Sequence, residues 1–161
     1  MEQNLESSLS AVLLDRASAG LRVQPALPND DLMAFRQVIR QRLNYELPGS
    51  YADILSRTDG IDSNGVMLYA SKQYFQGEKF ILQGLLEANL LLRVYAANLD
   101  FIYFAESGMD LYRHSLQSNQ FEVCTRVGLR VMETFATAAE FFEKILSDML
   151  DAVDEEDEDE A

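Results

Sequence analysis

The sequence predicts one α+β domain, a mainly antiparallel sheet of about 4–6 strands packed against several helices. The 161 residues, 48% of them apolar, suffice for one packed core and are too few for two substantial domains. Between residues 101 and 135, four short segments of strand-forming composition are separated by turn signals, which is typical of an antiparallel meander. Segments on both sides of this region repeat apolar residues at helical spacing, so we expect helices to cover the sheet.

Residues 1–28 are expected to form an N-terminal extension with a short helix. Leu9, Val12 and Leu13 recur at helical spacing, and prolines at positions 25 and 28 then mark an extended connection. A second helix is expected to begin at a cap formed by Asn29 or Asp30. Its apolar face consists of Leu32, Phe35, Val38, Ile39 and Leu43.

Residues 47–69 predict a short helix, a turn and a strand. Pro48 stands at the helix start, where its missing N–H costs nothing, and Gly60 can take the left-handed conformation that ends a helix. Residues 62–65 have the composition of a turn, and residues 66–69 have the length and composition of a strand.

The remaining chain predicts a helix, a meander and a final helix. Residues 74–80 indicate a loop or an edge segment, and residues 82–97 a helix. Four strands follow, namely 101–105, which is apolar throughout and expected to be buried on both faces, 110–115, 121–127 and 131–135. Thr137, with Glu140 in the capping-box position, is expected to start a last helix that ends at Leu150 and lies across the sheet.

The segment from Leu47 to Tyr69 resembles the SUKH superfamily. Members carry a helix with an L-P-x-x-Y-x-x-[FIL]-L core, a short loop to a glycine-containing segment, and a strand ending in an aromatic residue. The residues that stand where this pattern expects them are Leu47, Pro48, Tyr51, Leu55, Gly60, Gly65 and Tyr69. A later segment with Gly108 and Asp110 looks like the family's strand–turn–strand element.

This resemblance implies a SUKH-like α+β domain over residues 29–150. The chain departs from the pattern at Ile61, which stands where members usually have the second glycine of a pair. Many members are immunity proteins encoded beside secreted bacterial toxins, whereas others are regulators or scaffolds. The shared fold therefore implies the class of protein more firmly than the role.

Charge and cysteine content exclude several classes of function. The formal net charge of −14 argues against binding to nucleic acid or to anionic membrane surfaces, since both require clustered Lys and Arg side chains. The single cysteine, Cys124, excludes an intramolecular disulfide and fits a reduced cytosolic setting. The N-terminus lacks the features of a secretory signal, and no apolar run approaches the roughly 18 residues of a membrane span. We therefore expect a cytoplasmic protein.

Residues 151–161 predict an acidic, disordered tail. The tail contains seven consecutive acids, Asp154, Glu155, Glu156, Asp157, Glu158, Asp159 and Glu160. Residues 148–161 hold nine of the 27 acids and none of the 13 basic residues, so the preceding chain has 18 acids and a net charge of −5. The run is either a solvated tail that aids solubility or an arm that steers a basic protein partner.

No motif predicts an enzyme, a metal site or a cofactor site. As a general base, His114 would need a nucleophile and an orienting carboxylate, and only Ser107, Ser115 and Asp110 can be nominated as sequence neighbours. Cys124 is expected to pack as a small apolar side chain. Residues 59–65 lack the spacing of a calcium loop. Their glycines match neither of the phosphate-binding motifs G-x-x-x-x-G-K-[ST] and G-x-G-x-x-G.

The sequence thus predicts a non-enzymatic immunity protein that binds and neutralises a cognate toxin through an acidic surface extended by the tail. The alternative is a regulatory or scaffold protein of the same fold that binds a housekeeping partner. The toxin, the interface residues and the oligomeric state stay open at this point.

Overall fold

The computed structural model describes residues 1–159, with side chains described as far as residue 150. Within this range the helices are α1 (Gln3–Ser18), α2 (Asn29–Leu43), α3 (Gly49–Leu55), α4 (Leu85–Leu92) and α5 (Ala138–Asp159), with a 3₁₀ turn at Ala96–Asn98. The strands are β1 (Ile61–Ser63), β2 (Val66–Leu68), β3 (Tyr74–Gln76), β4 (Lys79–Leu82), β5 (Phe101–Glu106), β6 (Asp110–Ser115), β7 (Phe121–Thr125) and β8 (Val131–Phe135).

Six of these strands form one antiparallel sheet in the order β1-β2-β5-β6-β7-β8, and β3 and β4 form a separate hairpin. Helix α5 lies across the sheet in contact with β2, β7 and β8, while α1 and α3 pack against α5 and α4 packs against β5. The predicted α+β class, the buried strand β5 and the meander β5–β8 are therefore confirmed.

An aromatic cluster holds α5 to the centre of the sheet. The ring of Phe104 on β5 lies 5.2 Å from those of both Tyr51 and Phe142 and 6.0 Å from that of Phe141, measured between ring centroids. All four side chains are fully buried. The Tyr51 hydroxyl donates a hydrogen bond of 2.6 Å to the carbonyl oxygen of Tyr69, so α3 is also tied to the end of β2.

Helix α1 is longer than the short helix expected in residues 1–28. It spans 16 residues, and its Leu5, Leu9 and Val12 side chains are at most 1% exposed. These side chains belong to the same apolar cluster as the sheet and α5. The N-terminal segment therefore contributes to the main core.

Two helix boundaries differ from the sequence prediction. The prediction that Asn29 or Asp30 caps α2 is wrong, since Asn29 is already helical, Pro28 holds the cap position and no side chain caps the helix. The prediction that Gly60 ends α3 is also wrong, because this helix ends at Leu55. Pro48 does precede the first turn as predicted, and its carbonyl accepts the Ala52 N–H at 3.1 Å.

Glycine is required at position 60 because the chain comes close there to the segments that contain Ala70 and Leu82. Gly60 has a φ of +82°, and a Cβ atom at this position would lie 2.8 Å from both Ala70 Cβ and Leu82 Cδ2. Residues other than glycine meet both a backbone penalty and a steric clash here.

A β-hairpin replaces the predicted turn at residues 62–65. Asp62 and Ser63 belong to β1, and only Asn64 and Gly65 form the loop, with φ values of 53° and 82°. Two left-handed residues of the type Asn-Gly are the preferred loop of a tight antiparallel hairpin. The strand predicted at residues 66–69 is confirmed as β2.

The helix predicted at residues 82–97 is shorter, because β4 ends at Leu82 and the chain turns before α4. Gly84 holds the cap position of α4. Asn89 is fully buried, and its side chain accepts the Tyr103 N–H at 2.8 Å and donates to the Tyr103 carbonyl at 2.9 Å. Strand β2 pairs with only two residues of β5, so the Asn89 amide takes the place of a missing strand neighbour.

Helix α5 starts as predicted and continues beyond its predicted end. The Thr137 hydroxyl oxygen accepts the Glu140 N–H at 3.3 Å, which confirms the cap. The helical backbone runs past Leu150 to Asp159. The side chains of residues 151–161 lie outside the described part of the chain, and the disorder expected there stays a prediction.

Gly60→Ala and Gly65→Ala provide a matched test of the close approach at Gly60. Both positions have a φ of +82°, but a Cβ at Gly65 would meet nothing within 4 Å. We expect Gly65→Ala to lower the free energy of unfolding by about 1–2 kcal/mol through backbone strain alone. Gly60→Ala should lower it by roughly 1–3 kcal/mol more, because of the added overlap. Urea unfolding measures both, and equal losses would contradict the steric account.

Asn89→Leu tests whether this side chain completes β5. The substitution leaves the buried N–H and C=O of Tyr103 without their partner, and we expect a loss of about 2–4 kcal/mol in the free energy of unfolding. Leu90→Ala on the same helix, at a position 40% exposed, is the control and should lose less than about 1 kcal/mol. Similar values for the two variants would show that the Asn89 bonds are not needed.

Candidate interaction surfaces

The residues that carry the family resemblance build the fold and not a surface. Leu47, Tyr51, Leu55 and Tyr69 are at most 5% exposed. Pro48, Gly60 and Gly65 stand at a helix start, a close approach and a hairpin loop, as described above.

The later motif element forms the turn between β5 and β6. Gly108 lies within this turn, where a Cβ would meet nothing within 4 Å. The Ser107 hydroxyl oxygen accepts the Asp110 N–H at 3.0 Å, and the Ser107 N–H donates to the Asp110 carbonyl at 2.9 Å. Asp110 is partly buried, whereas Gly108 is exposed.

His114 is held as a structural side chain. Its Nδ1 lies 2.7 Å from the Tyr45 hydroxyl and its Nε2 lies 2.9 Å from Asn119 Oδ1, which fits a neutral ring that accepts from Tyr45 and donates to Asn119. The ring also stacks on Phe121 at 4.0 Å. Burial lowers the pKa of His114, although the bond to Asn119 opposes this effect. Both ring nitrogens are occupied by these two partners.

Cys124 and residues 59–65 likewise take structural positions. The Cys124 side chain is fully buried in β7, and burial raises the pKa of its thiol. The Asp59 carboxylate accepts hydrogen bonds from Ser71 and Tyr74. In the described part of the chain, no group of three or more His, Cys, Asp and Glu side chains has the arrangement of a metal site.

An acidic surface lies beside the middle of α5. Asp148 accepts a hydrogen bond of 2.7 Å from the Tyr112 hydroxyl and an ion pair of 2.9 Å from Lys144, which also lies 3.5 Å from Glu133. Burial, and then the negative charge of Asp148, raise the pKa of Asp110. Lys144 pairs with Asp148 and Glu133, and its charge opposes the rise in the pKa of Asp110. With three carboxylates and one lysine, this group carries a net negative charge. We call Asp110, Glu133 and Asp148 the acidic surface.

Helix α5, which carries Asp148 of the acidic surface, continues for several turns beyond it. Met149 is fully buried, and its carbonyl accepts a hydrogen bond of 2.5 Å from the Asn64 side chain in the β1–β2 loop. Beyond this anchor the helical backbone extends ten residues to Asp159, about 15 Å of helix. The proposed partner-binding acids 154–160 follow the anchor, and their side chains are outside the described range.

Sequence reasoning missed a groove between α2 and α4. Its volume is about 650 Å³, and its lining comes from the connection before α2, from α2, from the 71–74 segment and from α4. The lining side chains include Phe35, Val38, Lys72, Leu86 and Glu87. The apolar face of α2 was the one signal in the sequence, since Val38 belongs to that face and is 39% exposed.

Comparisons with known proteins leave the family open. No family model matches the chain, and no curated protein matches its sequence. The SUKH resemblance therefore depends on the motif residues alone. As for membrane insertion, none of the helices in residues 1–159 is both long enough and apolar enough to span a bilayer.

His114→Gln tests the neutral, buried histidine through pH dependence. A folded-state pKa below the unfolded value means that the unfolded chain binds the extra proton, so stability falls as pH decreases below about 6.5. The slope from this group reaches at most about 1.4 kcal/mol per pH unit. We expect the difference in unfolding free energy between wild type and His114→Gln to shrink from pH 7.5 to pH 5. Urea titrations at both pH values measure it, and a constant difference would refute the assignment.

Proposed function

We propose that this chain is a non-enzymatic SUKH-type immunity protein, which binds a cognate toxin in the cytoplasm and neutralises it by occlusion. The observation that carries the proposal is the concentration of negative charge in the C-terminal part of the chain. The acidic surface includes Asp148 of α5, and the acid-rich segment follows Asp148 along the chain. The last 14 residues hold nine acids and no basic residue.

Charge complementarity favours a basic partner. A protein domain that binds or cleaves nucleic acid carries a cationic cleft, because it must neutralise phosphates. An acidic partner that covers such a cleft accelerates association and blocks the substrate at the same time. A nuclease toxin domain therefore fits this surface best.

The environments of His114 and Cys124 favour a binding protein over an enzyme. Both nitrogens of His114 are engaged by Tyr45 and Asn119, and the Cys124 thiol is fully buried with a raised pKa. Each group contributes to packing where it lies.

Co-expression with the product of the neighbouring gene tests the proposal directly. Rescue of cell growth together with a co-purified complex is the expected result. A neighbour without toxicity, or a toxic neighbour that is neither bound nor neutralised, would contradict it. A complex with a housekeeping protein in place of a toxin would favour the scaffold alternative.

The contribution of the tail is tested by replacing the seven acids at positions 154–160 with their amides. We expect association with the toxin to slow by about 10-fold or more at low salt, and the difference to shrink as salt screens the charges. Stopped-flow mixing at ~20 mM and ~500 mM salt measures both effects. The matched control exchanges Asp for Glu and Glu for Asp at the same positions, which keeps the charge. An unchanged association rate at low salt in the amide variant would remove the tail from the mechanism.

A further inference from the structure

A second groove, separate from the one between α2 and α4, lies between α1, the segment that follows it, β1 and the β3–β4 hairpin. Its volume is about 420 Å³, and its apolar lining includes Leu13 and Ile61. The charged side chains that line it are those of Arg16, Arg22, Asp62 and Lys79. We call it the cationic groove, because three cations and one acid give it a formal charge of +2 in a chain whose net charge is −14.

The Arg16 guanidinium is fixed in the wall of the cationic groove. Its Nε and Nη2 donate to the Arg22 carbonyl at 2.9 and 2.7 Å, and its Nη1 donates to the Asp62 carbonyl. Carbonyl oxygens carry no net charge, so these bonds hold the guanidinium in place without neutralising it. A cation that is already held in position loses little entropy when an anion binds to it.

The other two cations of the groove can be reached from solvent. Arg22 and Lys79 are exposed. None of the ion pairs between described residues involves Arg16, Arg22 or Lys79. Asp62, the acid in the lining, balances at most one of the three positive charges. The groove therefore favours an occupant with several negative charges.

The C-terminal acids begin close to this groove. The side chain of Asn64 donates a hydrogen bond of 2.5 Å to the Met149 carbonyl, and Asn64 is only two residues from Asp62 in the groove. Asp154, the first of the seven consecutive acids, follows Met149 by five residues. Five residues cover about 7 Å as a helix and up to about 17 Å as an extended chain. The run of acids is therefore within reach of the groove.

The packing of α1 against α5 places the same two points together. Leu5 near the start of α1 and Ala138 at the start of α5 line one cavity, and the two helices contact each other. Arg16 and Met149 each follow these residues by 11 positions, so both helices advance equally far before they reach them. The chain beyond Met149 therefore leaves the core at the end of the molecule that carries Arg16.

We propose that the acidic run at residues 154–160 docks in the cationic groove of the same molecule. The acids would pair with Arg22 and Lys79 and meet the fixed charge of Arg16. Single exposed ion pairs are weak, but a short tether gives the seven acids a high effective concentration at three cations. The groove would then hold the tail until a basic partner competes for it. The contact belongs to the free protein and does not depend on the immunity role.

A spin label at the C-terminus tests the contact in the full-length chain. Ala161→Cys in a Cys124→Ala background provides one thiol for a nitroxide, and ¹⁵N spectra report which amides it broadens. We expect broadening at residues 13–24, 60–62 and 76–82 at ~20 mM salt, because electrostatic attraction acts over more than 10 Å there. The paramagnetic relaxation at these amides should fall at least about threefold at ~500 mM salt, where the attraction is screened.

A matched pair of double variants separates the groove from net charge. Arg22→Gln/Lys79→Gln removes two cations of the groove and should lower the paramagnetic relaxation at its amides at least about threefold at ~20 mM salt. Arg42→Gln/Arg130→Gln removes the same charge at exposed positions outside the groove and should leave the relaxation unchanged.

Three results would overturn the proposal. The first is no broadening of the groove amides at low salt, and the second is the same broadening in both double variants. The third is broadening of an unlabelled ¹⁵N chain that is mixed with a spin-labelled ¹⁴N chain, which would assign the contact to a second copy. If Cys124→Ala does not fold, the wild type is compared with the variant that carries amides at positions 154–160. Identical chemical shifts in the groove would then overturn the proposal.

The outcomes separate the docked tail from the proposed function. A docked tail in a chain that neither binds nor neutralises its neighbouring gene product would leave the groove standing and reject the immunity role. A toxin complex formed by a chain whose label leaves the groove amides unbroadened would do the reverse. If both proposals hold, Arg22→Gln/Lys79→Gln frees the tail and should raise the association rate at low salt about twofold or more relative to Arg42→Gln/Arg130→Gln.

Discussion

The fold depends on the burial of one phenol, that of Tyr51. Its ring packs against Phe104 of the sheet and Phe142 of α5, and its hydroxyl can be buried only because the Tyr69 carbonyl accepts its proton. Tyr69 in turn donates its N–H to the Phe104 carbonyl at 2.9 Å. Helix α3, strand β2, strand β5 and helix α5 therefore meet at one residue, which explains why a tyrosine with both a large ring and a polar end is needed there.

The parts of the fold that could be predicted are those with long, regular patterns. The meander and α5 follow from apolar runs and from Thr137, all of which are local signals. Strands β1 and β3 contain three residues each, too few to show a period, although Asn64-Gly65 was an available hairpin signal. Asn89 shows the limit most clearly, because its place in the core depends on where β2 ends, some 20 residues earlier, and no local pattern contains that information.

The candidate surfaces also differ in how far the sequence alone reveals them. The acids at the end of the chain are contiguous, so composition alone reveals them. The acidic surface needs β6, β8 and α5 to come together, and the α2–α4 groove needs three distant segments. Glu87 illustrates why the groove was missed: a glutamate in the first turn of a helix is ordinary, and only the three-dimensional contact with Gly84 shows that its carboxylate is turned inward.

The burial of Cys124 has a practical consequence for how the sheet can be studied. The chain contains one thiol, and it is fully enclosed in β7, next to strands on both sides. Alkylation by a small reagent then requires β7 to open, so the labelling rate reports the free energy of that opening at a single site. The labelling rate of Cys124 therefore measures local opening of the sheet without an added probe. A partner that restrains this opening would lower the rate.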